Sequence, residues 1–193
     1  MTPPSPTRLW WVRHAPTHAT TIAGQRDIPA DLSDVAALAR LAAFLPRAPV
    51  TSSDLLRARA TADAIAQDRP RLPPDPGFRE LDHGDWDGLH WTAIADRWPD
   101  LSRAVWETPG DAAPPNGESW NRGAARVSAA ADRYLHLPDV IIVSHMGAIL
   151  TQLARATGHP PARTLAQPIA PLSVTCLVHD GTRWRADLVN HSA

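Results

Sequence analysis

The feature that most constrains this 193-residue chain is a short apolar run that ends in a cluster of polar, reactive side chains, and it occurs three times. Arg8-Leu9-Trp10-Trp11-Val12 leads into Arg13-His14. Pro49-Val50-Thr51 leads into Ser52-Ser53-Asp54, with Arg57 close behind. Asp139-Val140-Ile141-Ile142-Val143 leads into Ser144-His145. Short apolar runs bounded by polar residues read as buried strands. Strands that alternate with helical patterns read as an α/β sheet covered on its faces by helices. Ligands of open sheets bind beyond the carboxyl ends of the strands, so the three clusters are expected to converge on one pocket.

The rest of the chain supplies the alternation. Leu32 to Phe44 reads as a helix, with Ser33 or Asp34 as N-cap and Pro46 just past its end. Leu55 to Gln67 carries apolar or small residues at helical spacing. The proline-rich stretch Arg69 to Gly77 reads as loop or edge. Trp91 to Trp98 and Leu101 to Trp106 read as short helices, Thr108 to Gly117 as a loop, and Ser119 to His136 as a long helix. Ala148 to Thr157 is a helix with Gly158 in the C′ position. Ser173 to Val178 and Arg183 to Val189 form a closing hairpin around Asp180-Gly181. Met1 to Pro6 reads as a frayed, proline-rich end.

Composition removes several classes of function. The formal net charge is -1 and all 19 cationic residues are arginine, without a basic stripe, so nucleic acid is not expected as a partner. No apolar run approaches the roughly 20 residues of a membrane span, and the first residues lack an apolar signal region. Cys176 is the only cysteine and lies in an apolar run, so no intrachain disulfide forms and a core role is expected. The chain is therefore read as cytoplasmic. His14 and His18 stand four apart, but they follow a strand rather than lie on a helix, so no metal site is expected.

The strand-end clusters point to an anion. Two of them run directly into helix starts, whose N–H groups and positive dipole ends attract negative charge. Arg13 and Arg57 add guanidinium groups, which fork onto phosphate or carboxylate. Two arginines, two histidines and a helix N-terminus suit a dianionic phosphoryl group and the charge that develops on its oxygens during transfer.

Five segments then carry a resemblance. Val12-Arg13-His14-Ala15-Pro16-Thr17 resembles the Arg-His-Gly motif that opens the histidine phosphatase superfamily, which includes the cofactor-dependent phosphoglycerate mutases. Ser53 to Ala62 resembles that family's second motif, Phe78 to Gly88 its acid-bearing segment, Pro115 to Ser119 its Gly-Glu-Ser turn, and Val143 to Gly147 its closing motif. The segments stand in the family's order across about four-fifths of the chain. The resemblance implies a three-layer α/β/α fold, with a mostly parallel sheet and one antiparallel edge strand. It also implies a single domain over residues 7–190, with a small helical cap around 85–118.

For the site, the resemblance implies that His14 attacks phosphorus and becomes phosphohistidine. Arg13, Arg57 and His145 would hold the phosphoryl oxygens, and Glu80 would protonate the leaving oxygen and later activate water. Thr17, Thr20, Met146 and Glu118 are further candidates for contact with substrate. The chemistry is self-consistent, because a neutral imidazole is a competent nucleophile without a metal and an ester leaving group needs a proton donor. No cofactor is implied, and the expected partner is a small phosphorylated metabolite. The sequence departs from the family at Ala15, where glycine is usual, and at Thr20, where many members have asparagine.

The segment between Glu80 and Ser144 is shorter than in the family's mutases, which favours hydrolysis, with α-ribazole-phosphate phosphatases and broad-specificity phosphatases as the models. A phosphoglycerate mutase and an inactive phospho-ligand-binding module are the alternatives. Trp86, Trp91, Trp98, Trp106 and Trp120 cluster in the middle third. They are read as packing, or as an aromatic wall over the leaving group.

Overall fold

A computed structural model describes residues 6–193, so most of the proline-rich start, Met1 to Ser5, lies outside the described residues. Five strands form one open sheet: β1 (Thr7–Arg13), β2 (Val50–Ser52), β3 (Asp139–Ser144), β4 (Val174–His179) and β5 (Trp184–His191), in the order β2-β3-β1-β4-β5. β1 and β2 both pair in parallel with β3, whereas β4 runs antiparallel to β1 and β5 antiparallel to β4. The sheet is thus a parallel core with an antiparallel hairpin at one edge. The hairpin turns at Asp180, whose N–H donates to the Arg183 carbonyl at 3.1 Å, and Gly181 takes a φ of 99° there.

Alternation along the central strands splits the core into two halves. Leu9, Trp11, Val140 and Ile142 pack with α5 (Trp120–Asp132) and α6 (Met146–Thr157) on one face. Val12, Ile141 and Val143 pack with α1 (Val35–Phe44) and α2 (Leu56–Ala66) on the other. The result is the expected three-layer arrangement. Cys176 is buried in β4, and burial pushes its thiol pKa up to about 12, so it behaves as a small core residue.

Helix limits follow the caps. Asp34 accepts the Ala37 N–H at 2.9 Å, so α1 starts at Val35 rather than Leu32. Ser119 accepts the Arg122 N–H at the head of α5, which ends at Asp132, four residues short of the expected limit. α6 starts at Met146, two residues early, and closes on Gly158 in the left-handed region, with a φ of 68°. The stretch 69–77 is irregular and ends in a 3-10 turn, Pro76–Phe78. Beyond α6 lies a five-residue helix, α7 (Pro161–Leu165), which the sequence reading did not foresee.

The region 85–118 leaves and rejoins the fold through a narrow neck. It carries α3 (Trp91–Arg97) and α4 (Pro99–Glu107). At the neck the Asp85 N–H donates to the Pro115 carbonyl at 2.9 Å and the Glu118 N–H to the Asp82 carbonyl at 2.8 Å. Asn116 reaches both carboxylate oxygens of Asp85 at 3.1 Å. Gly84 has a φ of 50°, and a Cβ there would stand 2.1 Å from the Pro115 carbonyl oxygen. Only glycine lets the two strands of the neck approach this closely.

Candidate active site

The ends of β1 and β3 bring His14 and His145 together, with ring centroids 5.0 Å apart. The His14 backbone N–H continues the parallel ladder by donating to the Ser144 carbonyl at 3.0 Å. Its Nδ1 stands 2.7 Å from the Ala15 carbonyl, so the proton sits on Nδ1 and Nε2 carries the lone pair. Burial lowers the His14 pKa to about 3. The Nδ1 contact with Ala15 works in the opposite direction, and the Arg57 and Arg13 charges add to the lowering. The ring is therefore neutral across the physiological range. His145 is fully buried and is likewise held well below the ordinary histidine value, by burial first and then by His14 and the surrounding arginines.

Arg57 is the first-turn residue of α2 that turns inward, and it is 1% exposed. Its Nε donates to His14 Nε2 at 3.3 Å, and its terminal nitrogens donate to the carbonyls of Arg26 at 2.8 Å and Gly24 at 2.6 Å. Arg13 donates one terminal nitrogen to the Ile169 carbonyl, and its Nε is buried without a partner. Burial lowers both guanidinium pKa values and Glu80 opposes the drop, so both stay charged. Both ring nitrogens of His145 also lack a partner among the described residues. Buried polar atoms left unpaired are costly, and here they gather at one spot beside His14.

Glu80 is 8% exposed and sits at the head of α6. Its Oε1 accepts the N–H groups of Leu81 at 2.9 Å and Ala148 at 3.1 Å, and its Oε2 accepts that of Gly147 at 3.1 Å. At α2, Asp27 accepts the Leu56 N–H at 2.6 Å. The two helix ends expected to meet an incoming anion thus already hold carboxylates of the chain itself. An incoming anion would therefore be left to the side chains. Asp54 of the second cluster is also committed, in a paired contact with Arg79 at 2.6 and 2.7 Å.

Arg13, His14, Arg57 and Glu80 line a cavity of about 250 Å³, which also takes in Thr17, Thr21, Met146, Gly147 and Trp106; His145 is fully buried and is not among its lining residues. A larger cavity of about 360 Å³ opens beside α1, lined by Asp31, Asp34 and Arg40 among others, but it contains none of His14, Arg57 or Glu80. Ala15 causes no strain, because it is absent from the positive-φ residues. It is buried, and its N–H donates to Thr61 Oγ1 at 2.9 Å.

Two candidates need correcting. Thr20 is exposed and does not line the cavity; the neighbouring Thr21 does. His18 takes a φ of 54°, and its ring pairs with Asp31 at 2.7 Å. Glu118 does not line the cavity of His14 either. It holds Arg126, whose other nitrogens donate to the backbone carbonyls of Gly77, Arg79 and Glu80. Glu118 thus braces the segment that carries Glu80. Among the described residues, no group of three or more His, Cys, Asp or Glu side chains could hold a metal ion, and no helix is long and apolar enough to cross a membrane.

Sequence reasoning missed Thr61, Gly147 and Leu165. Thr61 was legible as the i+4 neighbour of Arg57 on one helix face, and its hydroxyl also donates to the Arg57 carbonyl at 2.7 Å. Gly147 matters because a Cβ there would stand 2.5 Å from Glu80 Oε1. Leu165 reaches the cavity from α7, which carried no sequence signal.

With this geometry in view, the likeness to known proteins has a clear basis. A family model described as histidine phosphatase superfamily (branch 1) matches residues 9–192. The adenosylcobalamin/alpha-ribazole phosphatase of Salmonella typhimurium is 30% identical over 167 residues, covering 80% of this chain and 82% of that protein. A probable phosphoglycerate mutase of Proteus mirabilis is 28% identical over 190 residues, covering 93% and 88%. The solved structure of a mycobacterial glucosyl-3-phosphoglycerate phosphatase superposes with a TM-score of 0.82 at 29% identity, over 97% of this chain and 100% of that one. The strand-end histidines, the inward arginine and the family match together establish that the chain belongs to the histidine phosphatase superfamily, branch 1.

Proposed function

We propose that this protein is a phosphatase that hydrolyses a small phosphomonoester through a phosphohistidine on His14, without a metal ion. The observation that carries the reading is the convergence of a neutral His14, its unprotonated Nε2 facing Arg57 at 3.3 Å, with the unpaired buried nitrogens of Arg13 and His145. A phosphoryl group seated there would satisfy those nitrogens and take charge from Arg13 and Arg57. The histidine phosphatase relatives support the same reaction class.

In the first step the Nε2 lone pair forms a bond to phosphorus as the P–O bond to the alcohol breaks. Glu80, in its acid form, gives its proton to the leaving oxygen. The Nδ1 proton stays on the ring, hydrogen-bonded to the Ala15 carbonyl. In the second step water attacks phosphorus and the N–P bond breaks. Glu80, now a carboxylate, takes a proton from the water, and inorganic phosphate leaves. Thr17 and Met146 line the same cavity and would contact the substrate. An α-ribazole-phosphate phosphatase or a broad-specificity phosphatase fits this description.

The test is p-nitrophenyl phosphate hydrolysis in EDTA by the wild type and His14→Ala. Activity in the wild type, with loss in the mutant and an acid-labile phosphoenzyme on rapid quench, is expected. Activity that EDTA abolishes, or that survives His14→Ala, refutes the mechanism.

A further inference from the structure

The cavity around His14 is chemically divided. Arg13, Arg57 and Glu80 stand at the phosphoryl end. The remainder of the wall is mostly apolar, with Ile22, Leu81, Trp106, Met146 and Leu165 beside the hydroxyls of Thr17 and Thr21. Among the described residues, Arg13 and Arg57 are the only arginines on the wall, and Arg57 has its Nε and both terminal nitrogens engaged. A second anionic group on the substrate would enter an apolar space with only His83 as a further titratable neighbour besides Glu80. A carboxylate there would lie against this wall with no free guanidinium to pair with it.

The apolar wall is also prepared for contact. Trp106 is 39% exposed and Met146 is 41% exposed, which is high for large apolar side chains that line a cavity. Trp106 is not loose, because it stacks on the fully buried Trp86 at 6.0 Å, which in turn packs on Trp98 at 6.1 Å. His83 lies against it at 5.6 Å. A tryptophan held from behind and left open toward the cavity is a platform for a flat or apolar group.

We propose that the site selects phosphomonoesters whose leaving alcohol is uncharged and apolar or aromatic, with Trp106 as the face on which that alcohol packs. The proposal rests on the phosphatase reading and narrows its substrate class. On this proposal a phosphoglycerate, with its carboxylate, is a poor substrate.

The experiment compares kcat/KM for 2-naphthyl phosphate, phenyl phosphate, 4-carboxyphenyl phosphate and 3-phosphoglycerate in the wild type, Trp106→Ala and Trp106→Phe. Phenyl and 4-carboxyphenyl phosphate differ mainly in charge, so their ratio isolates the missing cation. The naphthyl ester is expected to exceed both charged esters by about tenfold or more in the wild type. Trp106→Ala is expected to erase about tenfold of the naphthyl-over-phenyl preference, and Trp106→Phe to restore most of it. Charged esters turned over as well as the naphthyl ester would overturn the proposal while leaving the phosphatase reading intact. So would an equal loss on all four substrates in Trp106→Ala that Trp106→Phe restores equally. No turnover of any ester by folded wild type would overturn both.

Discussion

A single methyl group placed at Gly147 should separate the two jobs of Glu80. The added Cβ would stand 2.5 Å from Glu80 Oε1 and 3.1 Å from Leu81 Cδ1. The first distance is impossible, and the carboxylate, as the far end of a flexible side chain, is the group that moves. Its bonds from the Gly147 and Ala148 N–H groups, both 3.1 Å, go with it. Alanine is otherwise favoured over glycine in a helix interior by up to about 1 kcal/mol, which partly offsets the lost Glu80 bonds and the tight Leu81 contact, so Gly147→Ala should fold with a modest loss of stability.

The catalytic loss can be sized. A positioned general acid contributes about 10²- to 10⁴-fold, and a displacement of about 1 Å can cost about 10²-fold. A loss of about 10²-fold, or about 2.7 kcal/mol of barrier, is therefore expected where the proton matters. It matters for phenyl phosphate, whose leaving oxygen is basic, and much less for p-nitrophenyl phosphate. Quenched-flow measurement of phosphoenzyme formation should show Gly147→Ala slowed about 10²-fold on phenyl phosphate and only slightly on p-nitrophenyl phosphate. The second step needs Glu80 with either substrate, so p-nitrophenyl phosphate should give a burst of one equivalent of nitrophenolate followed by slow turnover. Equal slowing of phosphoenzyme formation on both substrates would show that the methyl disturbs the phosphoryl pocket. Wild-type rates would show that the position of Glu80 is irrelevant. Either result refutes the role assigned to that carboxylate.

Two further outcomes follow from the same coordinates. The folded state holds the His14 pKa near 3 against an ordinary 6.5, so the unfolded chain binds more protons between those values. The stability that depends on a neutral His14 is fully present above about pH 6.5 and lost as the pH falls toward 3, and His145 acts in the same direction. Urea midpoints should therefore drop between pH 7.5 and 5, and His14→Asn should flatten that drop; an unchanged slope in the variant would contradict it. At the end of α6, Gly158 has a φ of 68° with nothing within 4 Å of a would-be Cβ. Gly158→Ala should thus cost about 1 kcal/mol through backbone conformation alone, lowering Tm by about 2–4 °C and leaving kcat unchanged. A larger drop would mean that the added methyl meets packing after all.

The parts of this molecule that were legible beforehand are those in which local pattern and tertiary structure agree. Asp139 to Val143 could only be a buried strand, and the polar residues at its end could only face the open edge of the sheet. The same reasoning brought His14, Arg57 and His145 to one place. What was not legible came from irregular backbone. In the loop after β1, Thr17, Ala19 and Thr21 line the cavity and Thr20 faces away from it. Glu118 lies before α5 begins at Trp120, so helical spacing within α5 could not assign it Arg126, eight residues on, as partner. The helix ends looked like open anion sites because nothing local announced that Asp27 and Glu80 would fold onto them from distant loops.

The neck between Gly84–Asp85 and Pro115–Glu118 has an evolutionary reading. It closes on itself through backbone hydrogen bonds and a glycine contact, so whatever lies between its two strands can lengthen, shorten or be exchanged while Glu80, four residues upstream, stays in register with α6. Trp106 belongs to the exchangeable part; His14, Arg13, Arg57 and Glu80 do not. Selectivity for the alcohol can then drift, or be grafted from another lineage, without retuning the phosphoryl chemistry. Such a separation lets one scaffold diversify across many metabolites at little risk to its catalytic step.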